Sequence, residues 1–536
     1  MRRLSDLISI DLPENIFKIT TVLIIIMFMV LVVISVSPLD KISEIGLWDE
    51  TRILENGMNW SFDSMFVYES SPLYSFSYFL LSRFIEDPIN VYYLNHILLL
   101  AGLMISVFYV LFKISGSLLW PVTVTLSFVY FKFYKIWPRV NFLTSIILIL
   151  GFFTIYKTKD RFLKINLSLV LSYILIFIRP EFYVSFYLFF FLSIILFISQ
   201  LLKERKTGDF GLKNFLLKKR TGIVLFFIVV CLLAVFVLPA PNDSRRSFTA
   251  FGQHYSVNIH RVEGHSTDPW TSWETVVKRD FKDSKGVVGA FFVNPGAFFS
   301  HIGRNISEFV LMNKNIFLKR YGYSILLFMA ILFFLIRYFF KIKKKEIPGI
   351  FAGKDIYDYY LLLIFMFPVV LSMFLIYPRI HYFLLFWTML ILMLTIFLFG
   401  YKIRRPKLFD HVFTIVLITG LLIFPMTITS GSYDNNLSII RSLREFEKSR
   451  QMGSVLELEM GWSTYLKTVK KPPLRILNAS ESWYKRNIDT IIVSMRLKNN
   501  IEGKPLMNIL KVPGKYGFRK HFLKNNFYLL LNIKND

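Results

Sequence analysis

Apolar residues recur along this chain in runs about as long as a bilayer is thick, with the polar residues gathered between them. Runs of spanning or near-spanning length fall at about 19–36, 91–112, 118–136, 141–156, 165–180, 182–202, 221–239, 322–340, 357–377, 380–400 and 408–429. A spanning helix needs about 20 apolar residues, since each adds about 1.5 Å across a hydrocarbon core of about 30 Å. The pattern therefore predicts a polytopic α-helical membrane protein with about eleven transmembrane helices. Arg2 and Arg3 ahead of the run Ile19–Val36 imitate the charged start of a signal peptide. That run is long enough to span, and Pro38 follows where cleavage would need small residues, so it reads as a retained first helix.

Two regions break the pattern. Trp60, Phe62, Met65, Phe66 and Tyr68, then Leu73, Tyr74, Phe76, Tyr78, Phe79 and Leu80, suit short helices lying at the membrane interface. After about Thr429 the periodicity changes to short apolar or alternating runs at Val455–Met460, Arg475–Leu477, Thr490–Ser494 and Tyr528–Ile533, which read as strands. Leu437–Arg450 and Trp462–Val469 read as amphipathic helices. The expected organisation is a transmembrane unit over 1–429, with large loops at 38–90 and 240–321, and an extra-membrane α/β domain over 430–536. There is no internal repeat, which disfavours transporters built from two repeated halves.

Composition supports the bilayer and charge orients the chain in it. The 536 residues are 54% hydrophobic and include 57 Phe, too apolar for a soluble protein with a polar shell. The net charge of +27 lies mainly in clusters between apolar runs rather than along one basic face, so no nucleic-acid partner is expected. With the N-terminus in the cytoplasm, alternation puts Lys157 to Lys164, Lys203 to Arg220, Lys341 to Lys345 and Lys402 to Lys407 all inside, as the positive-inside rule requires. The two large loops and the tail then lie outside, where function is to be sought. Cys231, the single cysteine, can form neither an intrachain disulfide nor a Cys-based metal site and leaves the redox compartment open.

Three short constellations stand on that outer side. Gly46-Leu47-Trp48-Asp49-Glu50-Thr51-Arg52 follows the first helix. Adjacent carboxylates there can divide labour, one accepting a proton while the other orients a partner or holds a cation, though solvated loop acids are the plainer reading. Phe177-Ile178-Arg179-Pro180-Glu181-Phe182 sets an arginine and a glutamate between two apolar segments. Ionisable groups at that depth mark a site, with an Arg179–Glu181 ion pair as the structural alternative. Ile376-Tyr377-Pro378-Arg379-Ile380-His381-Tyr382 gathers donors at the level of a lipid phosphate, or simply anchors the interface. Ser70-Ser71-Pro72-Leu73-Tyr74 opens a proline-initiated interfacial helix. Asn95 with His96, and Lys132 and Lys135 with Arg139 and Asn141, either line the same cavity or flank helices. His254, His260, Glu263, His265 and Asp268 match no compact metal motif, and Asn294-Pro295-Gly296 reads as a turn before an amphipathic segment. There is no P-loop and no G-x-S-x-G elbow.

The order and common outer location of Asp49-Glu50, Ser-Pro-Leu-Tyr, Arg179-Pro180-Glu181 and Pro378-Arg379-x-His381-Tyr382 resemble the GT-C superfamily of membrane glycosyltransferases. The likeness is to the branch holding protein O-mannosyltransferases and the aminoarabinose transferases of lipid A. The resemblance implies a GT-C fold and transfer of a sugar from a polyprenyl-phosphate donor to a glycan, glycolipid or protein acceptor on the outer, periplasmic side of a bacterial inner membrane. It implies Asp49 as general base, Glu50 as its orienter, and Arg179 and Arg379 with Glu181, His381 and Tyr382 about the donor phosphate. It calls for no organic cofactor or metal-ligand set, a divalent cation being left open. The rival classes are a flippase or transporter for a lipid-linked glycan and a polysaccharide polymerase or ligase.

Overall fold

The computed structural model describes residues 14–37, 45–47, 49–61, 71–130, 139–206, 244–264, 269–270, 272–318, 331–332, 335, 355–399, 408–423, 435–450, 452–457, 461–466, 479–493, 505–523 and 528–533. Its helices begin with α1 (Glu14–Val36), α2 (Asp49–Met58), α3 (Pro72–Ser82), α4 (Pro88–Ser115), α5 (Leu119–Tyr130), α6 (Val140–Lys157), α7 (Arg161–Ile176) and α8 (Tyr183–Lys206). They continue with α9 (Ser244–Glu263), α10 (Trp273–Phe281), α11 (Val287–Val293), α12 (Pro295–Leu318), α13 (Asp355–Leu375), α14 (Ile380–Phe399) and α15 (Leu408–Ile423). Among the described residues six helical stretches are long and apolar enough to cross a membrane: α1, α4, α6, Pro180–Ser199, Ile356–Leu375 and α14. The protein is thus a helical bundle suited to a lipid bilayer. Of the other expected spans, α5 has 12 residues and α7 and α15 have 16 each. The runs 221–239 and 322–340 fall almost wholly outside the described residues.

Local sequence sets the helix ends. Pro88 fills the first turn of α4, where no N–H is needed, and Asp87 caps it by accepting the Ile89 N–H at 3.0 Å. Gly116, at φ 63°, ends α4 in the left-handed conformation that only glycine adopts at little cost. Packed against α1, α3, α5, α6 and α14, α4 forms the centre of the bundle. Pro368 inside α13 leaves the carbonyl of Ile364 without its helical donor, and Ser185 Oγ of α8 supplies one at 2.7 Å. At the bundle end away from Asp49, buried Lys164 of α7 pairs with buried Asp358 of α13.

The described residues within 244–318 form a helical lobe with its own small core of Phe251, Tyr255, Ile259, Val277, Phe281 and Phe298. Asn294 caps α12 by accepting the Ala297 N–H at 3.0 Å, so the expected Asn-Pro-Gly turn does open a helix. The lobe is fastened to the end of α13. His301 bonds the Leu375 carbonyl at 3.0 Å and Asn305 donates to the Phe374 carbonyl at 2.7 Å, so side chains of α12 satisfy carbonyls that a helix end leaves bare.

After α16 (Asn435–Ser449) come β1 (Val455–Glu457), α17 (Glu481–Asn487), β2 (Thr490–Val493), α18 (Pro505–Lys511), β3 (Phe518–Phe522) and β4 (Tyr528–Asn532). They make a sheet of order β1-β2-β4-β3, with β1 parallel to β2 and the other pairs antiparallel. Val455, Ile492, Leu529 and Leu531 face a core continuous with the bundle, while Leu456, Ile491, Val493 and Leu530 face a second cluster under α17 and α18. The expected helix Trp462–Val469 is instead a four-residue 3-10 turn, Trp462–Tyr465, with 467–469 outside the described residues. Glu457 accepts the N–H groups of Trp462 and Ser463 at 2.6 and 2.8 Å, which fixes the turn from outside. The expected strand Arg475–Leu477 also lies outside the described residues.

Candidate functional site

The two carboxylates that open α2 are adjacent in sequence and opposite in environment. On a helix, consecutive side chains point about 100° apart, so one face of α2 takes Glu50, Thr51, Ile53, Leu54 and Gly57 inward while Asp49 stays exposed. Gly57 makes this close crossing feasible. A Cβ there would stand 2.5 Å from the Ser75 carbonyl oxygen and 2.6 Å from the Tyr78 Cβ. With α3 that near, Tyr74 and Tyr78, one turn apart, both donate their hydroxyls to Glu50 Oε1, Tyr78 at 2.5 Å. The Arg139 backbone N–H donates to Oε2 at 2.8 Å. Burial first, and then the facing Glu50 charge, hold both phenols well above their usual range, so each keeps the proton it donates. Glu50 is 0% exposed and has three donors, which makes it the anchor of α2.

Arg139 is buried with its guanidinium 4.1 Å above the Tyr92 ring, and Tyr92 in turn accepts the Gly46 N–H just ahead of α2. Among the other cavity candidates, His96 is buried and stacks on Phe142 at 6.0 Å. Lys132 and Lys135 lie outside the described residues.

The Arg179 step is closely bonded. Its Nε donates to Glu181 at 2.7 Å, a second guanidinium nitrogen pairs with the same carboxylate, and Nη1 donates to Asn141 at 2.8 Å. The guanidinium also lies 4.8 Å over the Tyr382 ring. Burial works against the Arg179 charge, and Glu181 and Tyr382 together more than offset it, leaving the group raised above its ordinary value. The Leu73 N–H of α3 donates to the Phe177 carbonyl at 3.2 Å, which ties the Ser-Pro-Leu-Tyr segment to this step. Tyr382 and His381, their rings 4.5 Å apart, are both buried.

Arg379 differs from Arg179. Partly buried in the junction between α13 and α14, its side chain makes no hydrogen bond or ion pair with any described residue, and its guanidinium rests 4.8 Å over Trp270. Burial lowers it from its ordinary value, while Tyr382 and the Asp49 charge favour its cationic form. An exposed carboxyl and an uncommitted cation, far apart in the chain, therefore act on one another at one end of the bundle. Asp49 can accept a proton there and Arg379 can hold an anion. Of the five polar residues that sequence singled out in 240–321, His254 and His260 are placed on α9, Glu263 ends it, and His265 and Asp268 lie outside the described residues. No group of three or more potential metal ligands occurs among the described residues.

Sequence reading took Ser-Pro-Leu-Tyr as a helix start and did not anticipate that Tyr74 and Tyr78 would hold Glu50. Their spacing of four was visible; the partner was not. Neither a family model nor a curated protein matches the chain, so its assignment rests on the residues themselves.

Proposed function

We propose that this chain is a GT-C-type glycosyltransferase that moves a sugar from a polyprenyl-phosphate donor to an acceptor hydroxyl or amine on the outer, periplasmic side of a bacterial inner membrane. The observation that carries this reading is that the exposed Asp49 carboxylate lies within electrostatic reach of Arg379 at one end of an apolar bundle, the Arg379 side chain having no hydrogen-bond partner among the described residues. A sugar phosphate is already activated, so the protein has to position the acceptor, take its proton and receive the departing phosphate. Asp49 accepts the proton as the acceptor attacks the anomeric carbon. The bond from that carbon to the phosphate oxygen breaks, and its electron pair leaves on the phosphate beside Arg379. With one base and no separate nucleophile, a single displacement inverts the anomeric centre. Arg179, with its donors engaged by Glu181 and Asn141, supports the site by fixing Tyr382. The turn around Trp462–Tyr465 meets α2, with Gly461 close against Thr51 and Thr464 Oγ1 donating to Glu55 at 3.3 Å, and this C-terminal region suits a role in holding or presenting the acceptor.

Cells lacking the gene and carrying either the wild-type chain or Asp49→Asn test the reading by mass spectrometry of lipid-linked sugars and envelope glycans. Removing a positioned general base costs on the order of 10²–10⁴ in rate. The expected result is accumulation of the lipid-linked donor and loss of the glycan modification in Asp49→Asn at normal membrane yield. Wild-type glycans in that variant would remove Asp49 from the mechanism.

A further inference from the structure

His254 stands on α9, in the lobe formed by residues 244–318, and the proposed mechanism does not use it. Its side chain is only 6% exposed, yet Nδ1 has no hydrogen-bond partner among the described residues. Leaving a buried polar atom unpaired is costly, and such atoms are uncommon in native interiors unless a ligand or water completes them. The ring is held on two sides, edge-on to Trp270 at 5.2 Å and parallel to Tyr377 at 6.3 Å. Trp270 also carries the Arg379 guanidinium at 4.8 Å, so one indole seats both the unpaired imidazole and the unpaired cation. Tyr377, at the α13–α14 junction, is fixed by Arg261 of the lobe, which bonds its hydroxyl and reaches Glu308 at 3.3 Å. Burial first, then the charges of Arg379 and His301, push the His254 imidazole well below its ordinary value. The ring is therefore neutral at pH 7 and carries one N–H to donate.

We propose that His254 and Arg379 form one phosphate-ester subsite between the lobe and the α13–α14 junction. Arg379 supplies the charge and the planar fork, and the N–H at His254 Nδ1 supplies a second directed donor to a phosphate oxygen. The subsite takes the phosphate of a prenyl phosphate, and this identity rests on the function proposed above. A guanidinium and a neutral imidazole suit a tetrahedral anion with several acceptor oxygens.

The test is equilibrium titration of the detergent-purified full chain with farnesyl phosphate, inorganic phosphate or phosphatidylglycerol, using wild type, His254→Phe, His254→Asn, His254→Gln and Arg379→Gln. Farnesyl phosphate should bind wild type more tightly than either other probe. His254→Phe keeps the ring and loses the donor, and should weaken binding about ten- to hundredfold, the worth of one hydrogen bond to a charged group. Asparagine places an amide N–H close to the position of Nδ1 and should restore most of the affinity. Glutamine reaches the Nε2 position instead and should not, a distinction that a merely structural role would not produce. Arg379→Gln should lose at least as much as His254→Phe. Equal affinity of wild type and His254→Phe, equal affinities of the Asn and Gln variants, or a preference for phosphatidylglycerol would each overturn the proposal. Intact prenyl-phosphate binding in a protein that changes no glycan would sink the transferase and leave the subsite standing, whereas normal transfer with affinity indifferent to His254 would do the reverse.

Discussion

Glutamine at position 50 should unfold this protein far more readily than asparagine at position 49, although the two carboxyls are neighbours. In the native site two phenol hydroxyls share Glu50 Oε1 and a backbone N–H occupies Oε2. An amide offers one acceptor oxygen. Turned toward the phenols, it sets its NH₂ against the Arg139 N–H; turned the other way, it sets NH₂ against Tyr74 and Tyr78. One buried donor left unsatisfied costs about 1–3 kcal/mol, and weakening the surviving bonds from charged to neutral adds about 1 kcal/mol each. The sum is roughly 3–5 kcal/mol. Asp49 is exposed at the start of α2, and Asp49→Asn gives up its interaction with the helix dipole, about 0.3–1 kcal/mol, and a solvent-screened attraction to Arg379. Unfolding in a mixed-micelle denaturant series, read by tryptophan fluorescence, measures both differences on the same scale. Equal stabilities for the two variants, or Glu50→Gln within 1 kcal/mol of wild type by the same accounting, would show that the three-donor cradle does not hold α2.

Two further outcomes follow from the contacts around the site. His301 has its titration pushed down to about 4 by burial, against an ordinary 6.5. The unfolded chain therefore binds the proton first, so this contribution is whole above pH 6.5, falls as the pH drops toward 4, and amounts at most to about 3 kcal/mol. Melting curves at pH 7.5 and 4.5 should differ less in His301→Gln than in wild type, and an unchanged difference would clear His301. Arg444 joins the tail to the bundle, donating to both oxygens of Asp87 at 2.6 and 3.1 Å and to the Tyr465 carbonyl at 2.7 Å. Because the pair is partly exposed, Arg444→Ala should cost only about 1–2 kcal/mol, seen as faster proteolysis of the residues after 435 with α4 still protected, and unaltered cleavage would mean the tail is held by apolar packing alone.

Runs of apolar residues were enough to locate most of the helices, because in lipid the periodicity of a span hardly matters and its length does. The ends of α4 were not read from the run at about 91–112, which stops short of Asp87-Pro88 and Gly116 where the helix begins and ends. Strand β3, by contrast, was missed because Phe518-Arg519-Lys520-His521-Phe522 lies at a sheet edge with only its first side chain buried, so it carries no apolar signature. The turn at Trp462 looked helical because the residues that fix it belong to Glu457. Among site residues, the acidic pair and the two arginines were conspicuous as charges in apolar surroundings. The Arg179–Glu181 pair was visible two residues apart, whereas the further engagement of Arg179 by Asn141 and the seat of Arg379 on Trp270 depended on partners brought in from distant parts of the chain. His254 stood out in the sequence only as one of five polar residues that match no metal motif, since an unpaired Nδ1 becomes unusual only once it is buried.

The lobe of residues 244–318 is joined to the end of α13 by side chains of His301 and Asn305 that take its last carbonyls, only a few residues before Arg379. A lid that swings away from a fixed cation would have to break those bonds at every turnover. The cheaper motion keeps lobe, helix end and arginine as one body and lets it shift against the α2–α3 layer that carries Asp49. Such a shift would move Arg379 relative to Asp49, so that the two charges stand in register in one position of the lobe and not in another.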